Sequence, residues 1–333
     1  MKKIAVVIMN WNGRELMRKF LPSVVRHSDA GLADVVVADN GSTDGSAEWL
    51  GEEYPSVIRL LYDRNHGYAG GYNLAVEKLR DYEYILLLNS DVEVTGNWLA
   101  PMLEAMEKDK DIAACQPKIK AYADKGSFEY AGAAGGYLDR NGYPFCRGRI
   151  FGTVERDFGQ YDGEVKQVFW VSGAAMLVRR TDYIKAGGLD TGFFAHMEEI
   201  DLCWRLNLLG KKVCTVPQST VYHVGGGTLA AGNPRKTYLN FRNNLFMLYK
   251  NLPLKEGSCI IRRRKLLDGA AAAMFAAKLD FAGVKAVWKA HRDFERGKGR
   301  YSCQPERNIM NMLPESRRNI VTDYYLKRRT TFR

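Results

Sequence analysis

The chain has 333 residues, of which 46% are hydrophobic and 26% charged, with a formal net charge of +11. Such proportions exclude disorder over most of the length and leave room for one large α/β domain plus an appendage. The charge is uneven: residues 1–233 carry 26 Lys/Arg against 30 Asp/Glu, net −4, and residues 234–333 carry 23 against 8, net +15.

A basic tail suits nucleic acid or the anionic inner face of a membrane, where each basic residue near the surface contributes roughly 1 kcal/mol, and composition does not choose between them. Cys115, Cys146, Cys203, Cys214, Cys259 and Cys303 are scattered with no CxxC spacing, the pattern of reduced thiols in a cytoplasmic protein and not of a zinc site. Met1-Lys2-Lys3 before Ile4–Met9 imitates a secretory leader, but the apolar run is too short for one and reads as a first strand. Leu266 to Trp288 looks apolar, yet Asp268, Lys278, Asp280 and Lys285 interrupt it short of the ~20 residues a spanning helix needs.

In chain order the pattern predicts strand Ile4–Met9, helix 13–27, strand Asp34–Ala38, helix Ser46–Leu50, strand Val57–Tyr62, helix Gly70–Leu79, strand Tyr84–Leu88, helix Asn97–Lys108 and strand Ile112–Gln116. Short aliphatic strands alternating with amphipathic helices imply a parallel sheet covered on both faces, with ligands at the strand C-termini. Residues 119–165, rich in Gly and Tyr, read as loops and short antiparallel strands forming a substrate-facing insertion. Strands at Val168–Val171 and Ala174–Val178, a helix at Met197–Leu209 and a strand Lys212–Val216 ended by Pro217 follow. In the tail a helix is expected over Tyr238–Asn251 and another over Leu266–Arg292, flanked by Arg262-Arg263-Arg264-Lys265, a basic amphipathic arrangement suited to a membrane surface.

Four stretches carry polar groups to the ligand edge. Asp39-Asn40-Gly41-Ser42-Thr43-Asp44-Gly45 follows the second strand; Asp39 there either accepts a hydrogen bond from a pyrimidine N3–H or builds a turn and helix cap. Asn65 to Asn73 opens a helix after the third strand, and its glycines admit either a phosphate or ribose against helix N–H groups or close helix–sheet packing. It matches neither the dinucleotide-binding nor the P-loop pattern. Asn89-Ser90-Asp91 with Glu93 offers hard oxygens to Mg2+ or Mn2+, the cap of the following helix falling to Thr95 or Asn97.

The fourth stretch is Phe193 to Arg205. Helical spacing groups Glu198, Asp201 and Arg205 into an acid–base network and turns Glu199 about 100° away, leaving it as a general base or a solvated helix-start glutamate. His223, by itself, reads as a metal ligand or a hydrogen-bonded core histidine, and Gly225-Gly226-Gly227-Thr228 after it reads as a loop able to close over a diphosphate.

Taken in series, these blocks resemble inverting family 2 glycosyltransferases, particularly the rhamnosyltransferase-like and galactofuranosyltransferase-like branch: Val7 to Gly13, Asp39 to Ser46, Asn65 to Asn73, the DXD-type Asn89-Ser90-Asp91, Val171 to Ala174, the acidic block and a late histidine. The first DXD position is Asn89, and the acidic pair is Glu-Glu where Glu-Asp is common.

The resemblance implies a GT-A fold, with a Rossmann-like, mostly parallel sheet covered by helices on both faces. Residues 1–118 would form the nucleotide-sugar half, 119–233 the acceptor half and 234–333 a basic helical extension. Asn10, Trp11 and Asp39 would hold the base, Asn65, Gly67 and Asn73 the nucleoside side, and Asn89 the ribose or metal. Asp91 and His223 would bind Mg2+ or Mn2+, and Glu199 would be the catalytic base. The implied partners are a UDP- or dTDP-sugar and a glycan or lipid-linked glycan acceptor, without nucleic acid, on the inner face of the plasma membrane. Two rivals remain: a sugar nucleotidyltransferase, by fold analogy, and a non-enzymatic glycan- or nucleic-acid-binding module.

Overall fold

The computed structural model describes residues 2–225, 233–301 and 304–332. Its N-terminal half runs β1 (Ile4–Asn10), α1 (Arg14–His27), β2 (Ala33–Asp39), α2 (Ser46–Glu53), β3 (Ile58–Leu61), α3 (Gly67–Lys78), β4 (Tyr84–Leu88), β5 (Val92–Val94), α4 (Leu99–Lys108) and β6 (Ile112–Ala121). Short strands β7 (Gly136–Leu138), β8 (Pro144–Cys146), β9 (Arg149–Ile150) and β10 (Thr153–Val154) form a separate antiparallel sheet. Then come β11 (Lys166–Val168), β12 (Ala175–Arg179), α5 (Arg180–Lys185), α6 (Glu198–Leu208), β13 (Lys212–His223), α7 (Pro234–Asn251), α8 (Leu254–Ala277) and α9 (Phe281–Gly297).

The main sheet is ordered β11-β13-β6-β12-β4-β1-β2-β3, with β5 paired to β13. It is parallel across β3-β2-β1-β4 and between β6 and β13. Strand β12 enters antiparallel between β4 and β6, so β6 does not continue the winding directly. Alternation builds both cores: Ile4, Val6 and Ile8 of β1 face α1, α2 and α4, while Ala5 and Val7 face α3 and α6, as the two-residue strand period requires.

Several expected boundaries differ: β6 runs to Ala121 and not Gln116, α8 starts at Leu254 and not Leu266, and three other places depart further. β13 does not stop at Pro217 but runs to His223, with a register shift between Val216 and Thr220; a bulge lets a strand carry a proline that cannot donate to the ladder. Only Val168 of the run to Val171 is in a strand; Trp170 makes an isolated bridge to Gly136. The single tail helix is two, broken where Leu279 takes φ 60° and Asp280 caps α9 by accepting from Gly283 N at 2.8 Å.

The expected boundary at 233 falls inside one continuous core. Leu245, Phe246, Met247 and Leu248 of α7, Ile260 and Ile261 of α8 and Phe294 of α9 share a cluster with Val7, Leu87 and Trp204. Each large apolar side chain so buried contributes roughly 1.5–3 kcal/mol, so the α7 residues together match a large share of a domain's net stability. Asp268, which seemed to interrupt an apolar run, is fully buried and is bound by Arg264 at 3.2 Å, the Tyr143 hydroxyl at 2.9 Å and His291 at 3.0 Å. Among the described residues no helix is long and apolar enough to cross a membrane, and five cysteines are free, Cys303 lying outside those residues.

Candidate active site

The C-terminal ends of β1, β2 and β4 open on a common edge. At β1, the buried Asn10 donates to Asp39 Oδ2 at 2.7 Å and to Ser42 Oγ at 3.1 Å. Asp39 Oδ1 accepts from Ser42 N at 2.9 Å, so this carboxylate does build the turn, and each oxygen keeps a further lone pair for a ligand. Trp11 beside it is 55% exposed, leaving an aromatic face open.

Asn40, missed in the sequence, knits the neighbouring loop: it donates to Asn65 Oδ1 at 3.0 Å and Gly67 O at 3.1 Å and accepts from His66 N at 2.9 Å. The two readings of the α3 glycines divide by position. Gly67 takes φ 73° with open space where a Cβ would point, whereas a Cβ on Gly71 would meet Met9 Sδ at 2.7 Å, so Gly71 serves packing. Asn73 does not share this edge's hydrogen-bond web. Its amide donates to Leu189 O at 2.9 Å and accepts from Leu189 N at 3.0 Å and Tyr183 Oη at 2.6 Å, clasping α3 to the loop before α6.

At the end of β4, Asp91 Oδ1 lies 3.1 Å from His223 Nε2. Antiparallel β5–β13 pairing causes this: His223 registers with Val92, and Val224 N donates to Asp91 O at 3.1 Å. Glu129 Oε2, from the insertion, stands 3.4 Å from His223 Nδ1; no spacing in the sequence points to it. Asn89 Nδ2 is 3.4 Å from His223 Nε2. Glu93 faces away and pairs with Lys125, the alternation of β5 putting it on the opposite face from Val92. Neither Thr95 nor Asn97 caps α4, which starts from Trp98 without a side-chain cap; Thr95 donates to Thr220 O at 2.7 Å and so ties β5 to β13. Of the glycine loop after His223, residues 226–228 lie outside the described residues.

Burial alone would depress the His223 imidazole, but its bonds to Asp91 and Glu129 outweigh this and push it up to about 10. The two carboxylates make this a place that favours positive charge, whether a proton on the ring or a cation taking that proton's place. A carboxylate and a neutral imidazole are donor types that Mn2+ accepts, so Asp91 and His223 would be the residues to hold such a cation. Among the described residues no group of three or more His, Cys, Asp or Glu side chains is arranged to hold a metal ion, so the pair offers two ligands and leaves other positions to a substrate.

The acid pair begins α6, where the helix dipole favours negative charge. The expected network forms without Glu198: Asp201 Oδ2 takes Arg205 at 2.7 Å and Lys250 at 2.9 Å, and Oδ1 accepts from Asn251 at 2.7 Å. Glu198 is left buried with Oε2 unpartnered, and Glu199 Oε2 is equally shut off and unpartnered. Burial raises both: Glu199 to about 7, and Glu198 well above the usual carboxylate range, with repulsion from Glu199 added. A Cβ on Gly173 would sit 3.7 Å from Glu199 Cβ and 2.6 Å from the Tyr68 hydroxyl. Tyr68 donates to Gly173 O at 3.0 Å and lies 3.4 Å from Asn89 Oδ1. Tyr68, whose hydroxyl is pushed up by burial and by the nearby charges of Glu198 and Glu199, thus stands between the acid pair and the contacts that lead through Asn89 to His223 and Asp91.

Backbone strain marks the approach to that pair. Phe194, His196 and Met197 take φ of 69°, 69° and 76°, a conformation costing on the order of 1–3 kcal/mol for each non-glycine residue.

Residues 5–159 match the family described as Glycosyl transferase family 2. The N-acetylglucosaminyl-diphospho-decaprenol L-rhamnosyltransferase of Mycobacterium tuberculosis is 27% identical over 235 residues, covering 66% of this chain and 75% of that protein. Among solved structures, GalNAc-T7 with UDP, GalNAc and Mn2+ superposes with a TM-score of 0.59 at 18% identity over 75% of this chain and 48% of the other, so this chain spans about half of it. Mannosyltransferase PcManGT from Pyrobaculum calidifontis in complex with GDP-Man and Mn2+ gives 0.54 at 13% identity over 88% and 86% of the two chains. The fold is the GT-A fold. Residues 5–159 are thus similar to glycosyltransferase family 2, and the chain is an enzyme of glycosyl transfer, which leaves the nucleotidyltransferase and binding-module readings without support.

Because Glu198 binds its proton more tightly folded than unfolded, the folded state loses stability as pH rises above the ordinary carboxylate range. Glu198→Gln is therefore expected to raise Tm by several degrees at pH 8, with the difference from wild type shrinking toward pH 5, as read by thermal melts across that range.

Proposed function

We propose that the chain is an inverting transferase moving a sugar from a UDP- or dTDP-linked donor to a hydroxyl of a lipid-linked glycan acceptor, in bacterial surface polysaccharide synthesis. The observation that carries this reading is the Asp91–His223 pair at the ligand edge of the sheet, with the acid pair at the start of α6 near Tyr68, whose hydroxyl bonds Gly173 O and Asn89. The rhamnosyltransferase relative, named for a decaprenol-diphosphate acceptor, supports the acceptor class. The neighbours solved with UDP or GDP-Man and Mn2+ support a nucleotide-linked donor and a divalent cation.

In this reading Trp11 stacks on the base while Asn10 and Asp39 meet its edge, and Asn65 and Gly67 border the nucleoside. Asn89 reaches the ribose. Asp91 and His223, the latter as the neutral imidazole, would hold Mg2+ or Mn2+, which would supply positive charge to the leaving diphosphate. Glu199 takes the proton of the acceptor hydroxyl as its oxygen bonds to the anomeric carbon, and the electron pair of the breaking C–O bond leaves with the diphosphate. A single in-line displacement inverts the anomeric configuration. The raised pKa of Glu199 suits a base acting near neutrality, since a weaker acid is a stronger proton acceptor.

The tail supplies the membrane contact. The α8–α9 hairpin leaves Leu279 77%, Phe281 68% and Trp288 61% exposed, beside Lys278, Lys285, Lys289 and Arg292. Apolar side chains ringed by cations suit an anionic lipid surface, and the enzyme would be cytoplasmic and peripheral on the inner face.

Glu199→Gln is expected to cut kcat by about 10²-fold or more with donor affinity nearly intact; wild-type turnover would overturn its role. Asp91→Ala should abolish the Mn2+-dependent part of the thermal stabilisation given by UDP or dTDP, and an unchanged metal titration would remove Asp91 from the metal site. The protein should sediment with vesicles containing anionic lipid at low salt and release as salt rises. Leu279→Glu with Phe281→Glu should abolish that binding, whereas no sedimentation of wild type at low salt would refute the membrane contact.

A further inference from the structure

Helix α6 begins at Glu198, so the torsions of the residues just before it set the direction of the acid pair. Three of those residues, Phe194, His196 and Met197, are left-handed, a conformation that side-chain-bearing residues adopt only under constraint. Within the turn Ala195 N donates to Phe193 O at 2.9 Å across Phe194, while Met197 provides no side-chain cap; further bonds come from α7, far along the chain.

The fully buried Asn243 places its amide nitrogen, with two hydrogens to share, 2.9 Å from Phe193 O, 2.8 Å from Ala195 O and 2.8 Å from His196 O. Its own Oδ1 accepts from Arg242 Nε at 2.8 Å, and Arg242 Nη2 donates to Phe193 O at 2.9 Å and Gly192 O at 3.3 Å. Arg242 thus fixes the orientation of the amide and braces the same turn. Three carbonyls converging on one buried amide leave their oxygens without that partner when it is removed.

We propose that Asn243 is a positioning residue for the reaction: it holds the left-handed turn from which Glu199 is set beside Gly173 and Tyr68. It touches no reacting atom and acts through the turn. The proposal rests on the reading of Glu199 as base, and extends the catalytic apparatus into the tail, beyond residue 233.

A double-mutant cycle tests it on the full-length chain with Glu199→Gln, Asn243→Ala and the double variant. Asn243→Ala should lower kcat about 10²-fold, the scale of a small misplacement of a reacting group, with donor KM and UDP or dTDP affinity held within about twofold. In the Glu199→Gln background it should cost no further turnover. The acid limb of the pH–rate profile should also move toward the ordinary carboxylate range, because a relaxed turn readmits water to Glu199. If Asn243→Ala does not fold by circular dichroism, the isosteric Asn243→Asp removes the donors while keeping the shape and serves in the same cycle. Multiplicative losses on top of an impaired Glu199→Gln variant, or a donor KM effect with kcat unchanged, would overturn the positioning role alone. Wild-type turnover of Glu199→Gln would overturn the base reading, and this proposal with it.

Discussion

β5 is three residues long, yet its antiparallel ladder with the end of β13 brings Val92 opposite His223 and so sets the imidazole against Asp91. The meeting of Asp91 and His223 follows from that pairing. It requires β13 to continue past Pro217, which the bulge before Thr220 allows, and it is secured by Thr95 bonding Thr220 O. Glu129 closes the imidazole from behind. The result is a patch able to stabilise positive charge at the carboxyl edge of a parallel sheet, where open α/β folds collect anionic ligands.

The acid pair shows the opposite economy. Glu198 and Glu199 keep unpartnered oxygens in a buried place and begin a helix reached through three left-handed residues. Such a start is unfavourable on its own and persists because the surroundings over-determine it. Two turns of support are visible: Asp201 is saturated by Arg205, Lys250 and Asn251, and Asn243 gathers the carbonyls of the entering turn. Carboxylates so held are neutral more readily than free ones, which is the property a proton acceptor near neutral pH requires.

Much of that support comes from α7, in the segment whose charge set it apart from the rest. Net charge describes surface, and surface is what separates the tail from the body; the apolar residues between the charges decide packing. Leu245, Phe246 and Leu248 lie in the same core as the sheet, so α7 is continuous with the catalytic half while the α8–α9 hairpin projects its apolar side chains outward.

The alternating strands and helices up to β4, the carboxylate closing β4 and the acid pair opening α6 were legible in the residues alone, because periodicity and capping act over a few neighbouring positions. The place of Asn10 and Asp39 at one edge follows from the same local rules. What the chain order could not disclose were contacts between distant segments: Asp91 with His223, Glu129 behind it, Glu198 left out of the Asp201 network, Asn73 engaged with Leu189, and Asn243 beneath the turn before α6. The antiparallel entry of β12 and the break near Leu279 belong with them. Each depends on strand register or on a long-range hydrogen bond, and those are selected by packing of the whole fold, for which no local pattern in the chain is a substitute.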